Sequence, residues 1–436
     1  MYWHIRNSNN GRQVWTGRTE RLQWDLVRPS GSTLRSRGGP TQGATAALFG
    51  LFVSGLLLSF LGAILPLWGH EIRADYDTVG AYFLCLSVGV VTSGRLGQMI
   101  VRTKGVSAAL IAGCAFGTAA FVYLAFTSPP APPWARMPGI AAIGAAAGML
   151  HPAIFHAISA MYRADPAATL NGGGTLFGLG CLTVALLISG AYGSYSVPAT
   201  ILLLAIAPAA FAVLCARTKF ASAAAEAERP PRPLLEDLRT PIAVFFALLL
   251  FFQFGNEWAI AGWLPLFLVH RLGINPASAL ILAALYWLAL IVGRLVAQSV
   301  LPRVTHGKLL LSAICAAAFG CLVLAFTNNR FGAAAGILFI GGGFAPIYPL
   351  VAESIGDRFP YYHPGLYNGI FSFAMSGGLL APCALGYLAD FAGIRVVVLL
   401  PFFGAVMVLA LMMAIWLAAR STPHGKSKAA APIGPS

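Results

Sequence analysis

From residue 44 to residue 419 the chain is a succession of apolar runs, each nearly free of charge and each long enough to cross a bilayer. A spanning helix needs roughly 20 apolar residues, and about twelve such segments can be counted. They lie near 44–69, 78–101, 107–127, 135–162, 168–193, 196–216, 241–269, 277–301, 307–327, 331–356, 365–391 and 395–419. Only 10% of the 436 residues are charged and 58% are hydrophobic, whereas a soluble domain is roughly 25% charged. This composition cannot cover a water-facing surface. The expected fold is therefore an all-α integral membrane protein with 12 transmembrane helices.

The net charge of +14 raises the question of a nucleic-acid partner, and its distribution argues against one. With twelve spans both termini share one side of the membrane. Of the 28 Lys and Arg, 21 fall on that side and five (Arg73, Arg136, Arg271, Arg330 and Arg395) on the other, while Arg95 and Arg294 lie within spans. The positive-inside rule then places both termini in the cytoplasm of a multi-pass protein of the cell membrane. The basic charge is a signal of topology.

Seven cysteines (Cys85, Cys114, Cys181, Cys215, Cys315, Cys321 and Cys383) all sit in apolar segments without CxxC spacing. They read as packing residues rather than a disulfide or metal framework. Residues 1–43 form a polar, Arg-rich stretch without the layout of a secretory signal. Trp3, Trp15 and Trp24 among its arginines suit the anionic leaflet, but a floppy tail or an early start codon is the favoured explanation of the stretch.

The spans repeat. Leu65-Pro66-Leu67 recurs as Leu264-Pro265-Leu266 and Gly94-Arg95-Leu96 as Gly293-Arg294-Leu295, both at an offset of 199. Pro152 and Pro349, and Asn171-Gly172 and Asn368-Gly369, are 197 apart. A nearly constant offset over five helices marks a duplication of six spans. The expected organisation is a basic tail (1–43), a six-helix bundle (44–216), a charged linker (217–240), a second six-helix bundle (241–420) and a short tail (421–436). Two bundles joined by a cytoplasmic linker is a transporter layout, with the ligand site between the repeats near mid-membrane.

Over residues 44–420 the chain resembles the major facilitator superfamily of secondary transporters. The span count, the 6+6 repeat, the central loop and the basic turns at 102–106 and 302–308 carry the likeness. The family's loop motif is degenerate in Gly97-Gln98-Met99-Ile100-Val101-Arg102-Thr103-Lys104-Gly105, where Val101 replaces the usual aspartate. A cleaner relative is Gly386-Tyr387-Leu388-Ala389-Asp390-Phe391-Ala392-Gly393. Within the superfamily, "GNEWAIAGWLPLFL" followed by "YWLALIVGRL" is similar to the fucose and glucose permease group of sugar–proton symporters. That resemblance implies two pseudo-symmetric bundles, a sugar-like cargo and a proton as coupling ion.

The most informative residue is Glu257, a carboxylate in the middle of the 19-residue run 251–269. Charge at mid-bilayer is costly and usually functional. At 100° per residue, positions 253, 256, 257 and 260 share one helix face, so Gln253, Asn256 and Glu257 are expected to form one polar stripe. Amides and a carboxylate on a rigid helix suit a hydroxyl-rich ligand. Trp258, Trp263, Tyr286 and Trp287 offer flat apolar surfaces for its C–H faces. Desolvation disfavours a charged carboxyl group, so Glu257 is the candidate for proton coupling. The plainer alternative is a permanent hydrogen bond that packs two helices.

Arg294 lies about 10 Å from the cytoplasmic end of its span at 1.5 Å per residue, and Glu353 lies near the end of span ten. A pair between Glu353 and Arg294 or Arg303 is expected to latch the inner mouth, with Arg95 in the equivalent role in the first half. The repeat maps His156 onto Glu353 and His151 onto Tyr348. His156 is thus a candidate for the first half's gate, and His151, deeper and beside Pro152, for the cavity. The glycines after Asn171 read as close helix packing or as points of flexure.

The leading function is uptake of a small polar solute, a sugar or similar polyol, by proton symport. Drug or metabolite efflux by proton antiport is the runner-up, and a transporter-like membrane sensor comes third. No HExxH, G-x-S-x-G or P-loop pattern and no metal-spaced His/Cys cluster is found in the sequence, so no enzyme, cofactor or metal is expected. The expected partners are the solute, a proton and the lipid bilayer, with no obligate protein partner.

Overall fold

The computed structural model describes residues 42–70, 75–164, 166–220, 238, 240–358 and 369–421. The expectations placed on residues 1–41, on most of the 217–240 linker, on Asn368 and on residues 422–436 lie outside the described residues.

Helix α1 is Gln42–Ile64, continued by a tight 3-10 turn at Leu65–Trp68; α2 is Tyr76–Lys104, α3 Val106–Phe126, α4 Pro133–Ala164, α5 Pro166–Ala191 and α6 Val197–Arg217. The second half holds α7 (Pro241–Leu272), α8 (Pro276–Val300), α9 (His306–Phe326), α10 (Arg330–Phe344), α11 (Ile347–Arg358), α12 (Gly369–Ala392) and α13 (Val396–Ser421). Helices α10 and α11 together make one span, and twelve spans result. No strand occurs among the described residues. Helices are what a bilayer demands, since each satisfies its own backbone polar groups.

The helix ends follow local sequence chemistry. Thr240 accepts a hydrogen bond from Ala243 N–H, Asn275 from Ala277 N–H and Asn329 from Gly332 N–H. These are N-caps, and Pro241 and Pro276 follow two of them at the first helical position, where no N–H is needed. Gly273 closes α7 at φ 62°, in the left-handed region. The two Leu-Pro-Leu repeats behave differently. Around Pro66 helix α1 tightens into a 3-10 turn that ends at Gly69 with φ 89°, whereas α7 runs through Pro265 to Leu272.

Between the halves α2 lies along α12, α5 along α8 and α1 against α7. The repeat offset carries α2 onto α8 and α5 onto α12, so the first two contacts are one contact seen twice. Residues 40–436 nevertheless form one compact unit, and the halves are not separate bodies. The joint is tightest on the membrane side opposite the chain ends. There Gly80 and Gly386 let α2 and α12 touch backbone to backbone: a Cβ on Gly80 would come within 2.9 Å of Gly386 Cα. Tyr76 OH bonds His270 Nδ1 at 2.8 Å, Ser87 donates to the Leu379 carbonyl at 3.0 Å, and Ser189 donates to the Ala277 carbonyl at 2.9 Å.

Candidate functional site

The middle of α7 builds the site. Gln253 and Glu257 are one turn apart, and Gln253 Nε2 donates to Glu257 Oε1 at 2.7 Å. The same amide reaches the Phe344 carbonyl at 3.5 Å. That carbonyl is the last of α10, where Ala345-Pro346 interrupts the span. Gln253 is fully buried and Glu257 partly so, and Gln253 Oε1 is buried with no hydrogen-bond partner among the described residues.

Helix α8 supplies the opposite wall. Tyr286 donates its hydroxyl to the Glu257 carbonyl oxygen at 3.2 Å and meets Trp287 edge-on at 5.3 Å. Phe177 of α5 then joins the halves, edge-on to Trp258 at 5.9 Å and to Trp287 at 6.4 Å. Edge-to-face rings at such separations attract beyond their buried area. Two turns beyond Trp287 on α8, toward the chain-end side, Arg294 leans across to α5 and donates Nη1–H to the Gly174 carbonyl at 2.6 Å. Gly174 makes this approach possible, because a Cβ there would stand 2.6 Å from Nη1. Arg294 and Glu257 make no hydrogen bond or ion pair with each other, the carboxylate being bonded to Gln253 and the guanidinium to Gly174.

The first half adds His151, bonded through Nε2 to Ser54 Oγ at 3.1 Å and stacked on Phe155 at 6.3 Å. Across the site Tyr348 of α11 packs on Phe254 at 5.1 Å.

The expected stripe therefore divides. Gln253 and Glu257 share a face with Tyr286 and Trp287, while the contacts of His151 are with Ser54 and Phe155. Asn256 does not join them: it is buried against Gly404 of α13, and a Cβ on Gly404 would clash with its Oδ1. The reason is angular, since Asn256 stands 100° from Glu257 around the helix. Trp263 also leaves the site. It is fully buried at the seam of the halves, stacked on Phe83 at 5.9 Å, with its indole N–H donated to the Pro382 carbonyl at 2.9 Å. A large flat ring with one donor serves as well for a wedge as for a sugar platform, and only its neighbours decide.

The expected latch is likewise redrawn. Glu353 takes His306 as its partner, Oε2 to Nε2 at 3.2 Å, and neither Arg294 nor Arg303. Glu353 and His306 are about half exposed, a setting in which an ion pair contributes little. Arg303 is exposed. Arg95 is also exposed, while its repeat partner Arg294 is turned inward. His156 is half-buried on α4.

An open groove of about 510 Å³ between α8, α9 and α10 lies away from this chemistry, lined by Leu288, Val292, Val296 and other apolar side chains. All seven cysteines are free, and no group of His, Cys, Asp and Glu among the described residues is spaced to hold a metal.

A family model, Major Facilitator Superfamily, matches residues 47–382. The chain belongs to the major facilitator superfamily. It is similar to an uncharacterized MFS-type transporter of Yersinia pestis, 22% identical over 368 residues, which cover 83% of this chain and 92% of that one. Among solved structures, a D-xylose–proton symporter superposes with a TM-score of 0.66 at 14% identity, covering 86% of this chain and 96% of that one. The nucleoside transporter NupG does so with a TM-score of 0.63 at 13% identity, covering 85% and 99%. The fucose–proton symporter of E. coli gives 0.58 at 14%, covering 85% and 98%.

As a superfamily member the chain is a transporter of twelve helices in two pseudo-symmetric bundles. Sequence reasoning found the carboxylate but missed Phe177, Ser54 and Gly174. Phe177 and Ser54 carry no sequence signal of their own. Gly174 had one, the run Asn171-Gly172-Gly173-Gly174, which became specific only once Arg294 was seen against it.

Proposed function

We propose that this chain is a secondary active transporter that moves a small hydroxylated solute, a sugar or close relative, across the cell membrane with a proton as coupling ion. Both termini are then cytoplasmic, a reading supported by the bias of 21 against five basic residues. The observation that carries the reading is the Gln253–Glu257 pair, a hydrogen-bonded amide and carboxylate at mid-membrane with Tyr286, Trp287 and Trp258 around it. Polar groups supply orientation and aromatic faces supply contact, the division of labour of a small-molecule site. The solved relatives, at 13–14% identity, speak to the fold, so the cargo reading rests on these side chains. Alternating access moves the solute past Glu257, and a carboxyl group that takes a proton on one side and releases it on the other links the two flows.

The test is made in lightly buffered, energy-starved cells expressing the full chain, with sugars added singly. Alkalinisation of the medium by one sugar, absent in Glu257→Gln, is the expected result. Equilibration of labelled sugar in both without a pH change would leave a facilitator. No response to any sugar would overturn the cargo reading in favour of efflux.

A further inference from the structure

The site holds a cation that an uncharged sugar has no use for. Arg294 spends Nη1–H on the Gly174 carbonyl, the one acceptor it meets among the described residues. Its Nε–H is buried and has no partner among the described residues. A guanidinium has two donor forks, and the Nε–Nη2 edge is the one left unused when Nη1 is taken. That edge matches a carboxylate, which accepts two parallel hydrogen bonds from it. Nothing among the described residues fills this role, because Glu257 is held one turn away by Gln253 and makes no ion pair with Arg294.

The acceptor side is equally incomplete. Gln253 Oε1 is buried without a donor among the described residues, and Glu257 has a second oxygen beyond the one bonded to Gln253. The α5-facing side of α8 carries Trp287, Ile291 and Arg294 in register, with Ile291 against Gly178 and Trp287 against Phe177. Trp287 and Arg294 are seven residues apart, so roughly 10 Å along the helix. That span suits one sugar ring with a carboxylate at its end. Unmet donors at one end, unmet acceptors at the other and aromatic rings beside them define one molecule.

From this arrangement we propose that the cargo is a sugar acid, its carboxylate held by Arg294 and its hydroxyls by Gln253 and Glu257. The inference rests on the sugar reading of the same site. It also gives the proton a reason. One guanidinium is balanced by one carboxylate, so the cargo's charge and that of Glu257 compete for Arg294, and cargo enters with a proton on Glu257. The other titratable groups within reach of this charge are Tyr286 on α8, Tyr348 on α11 and Cys181 on α5, and His151 on α4 is bonded to Ser54.

The test uses the purified full chain and two matched probes, D-glucuronate and D-glucose, with binding followed by quenching of tryptophan fluorescence and proton uptake by an indicator dye. Glucuronate is expected to bind about 10-fold to 100-fold more tightly, the worth of a charge-assisted pair, and to take up one proton that Glu257→Gln does not. Arg294→Gln is expected to erase the preference and Arg294→Lys to keep part of it. If glucose binds as well as glucuronate, the sugar-acid inference falls while the sugar reading stands, and that comparison needs no variant. Binding of neither probe would overturn both. Tight glucuronate binding unaffected by Arg294→Gln in a folded protein would remove Arg294 from the site.

Discussion

Gln253 Nε2 and Glu257 Oε1 lie 2.7 Å apart on successive turns of α7, and this bond sets where the carboxylate points. Its donor is in turn anchored near the Phe344 carbonyl at the break of span ten. The Glu257 carboxylate is thus tied to the discontinuity in the neighbouring helix. Gln253→Ala is expected to leave Glu257 in place but unaligned, weakening cargo binding by roughly tenfold, the scale of one hydrogen bond to a charged group. Equilibrium binding to the purified variant measures this. Unchanged affinity would mean that the pair is only packing.

Glu257→Gln keeps the shape and removes the titration. Counterflow of labelled cargo across vesicles is expected to persist, while uphill accumulation driven by a proton gradient is lost. Under the proposed symport, accumulation by the unmodified protein is expected to fall as external pH rises, because the proton concentration falls. Accumulation by the Gln variant equal to that of the parent would remove Glu257 from coupling.

The run Asn171-Gly172-Gly173-Gly174 offers an internal control. A Cβ on Gly174 would stand 2.6 Å from Arg294 Nη1, whereas a Cβ on Gly172 meets nothing within 4 Å. Gly174→Ala is expected to displace the guanidinium and cut transport by about tenfold or more. Gly172→Ala is expected to keep transport and to stabilise α5 by about 0.5–1 kcal/mol through helix propensity. Transport assays beside thermal melts compare the two. Equal losses would show that the run serves flexure rather than the arginine.

Asn256 and Gly404 make a complementary pair between α7 and α13. Gly404→Ala would drive a Cβ into Asn256 Oδ1 and is expected to lower the melting temperature clearly. Asn256→Ala is expected to be mild, since its Nδ2 is buried without a partner among the described residues, and to rescue Gly404→Ala. Binding of cargo should be the same in Asn256→Ala as in the parent. A loss of affinity there would restore Asn256 to the site.

Ser87 of α2 faces Cys383 of α12 across the seam, Oγ to Sγ at 3.7 Å. Ser87→Cys is expected to form a disulfide with Cys383 under oxidation and to stop transport by pinning the halves on the side opposite the chain ends. Reductant should restore it. Full activity in the oxidised, cross-linked protein would mean that this side does not open.

Sequence alone determined the class, the span count and the duplication. Hydrophobic length and the exclusion of charge act along the chain, so a bilayer's demands are written locally. It also determined Glu257, because a single carboxylate in an apolar run is conspicuous without any partner. Tertiary structure decided which neighbours each polar group has. Asn256 and Glu257 look alike on a helical wheel, yet α13 covers one and the interior receives the other. Arg294 and Arg95 occupy equivalent positions in the repeat, but only Arg294 meets a glycine carbonyl at Gly174. The span pattern offers Glu353 either Arg294 or Arg303, and the packing of α9 beside α10 and α11 gives it to His306 instead. Contacts across the seam join residues far apart in the chain, and periodicity carries no information about which helix will stand opposite.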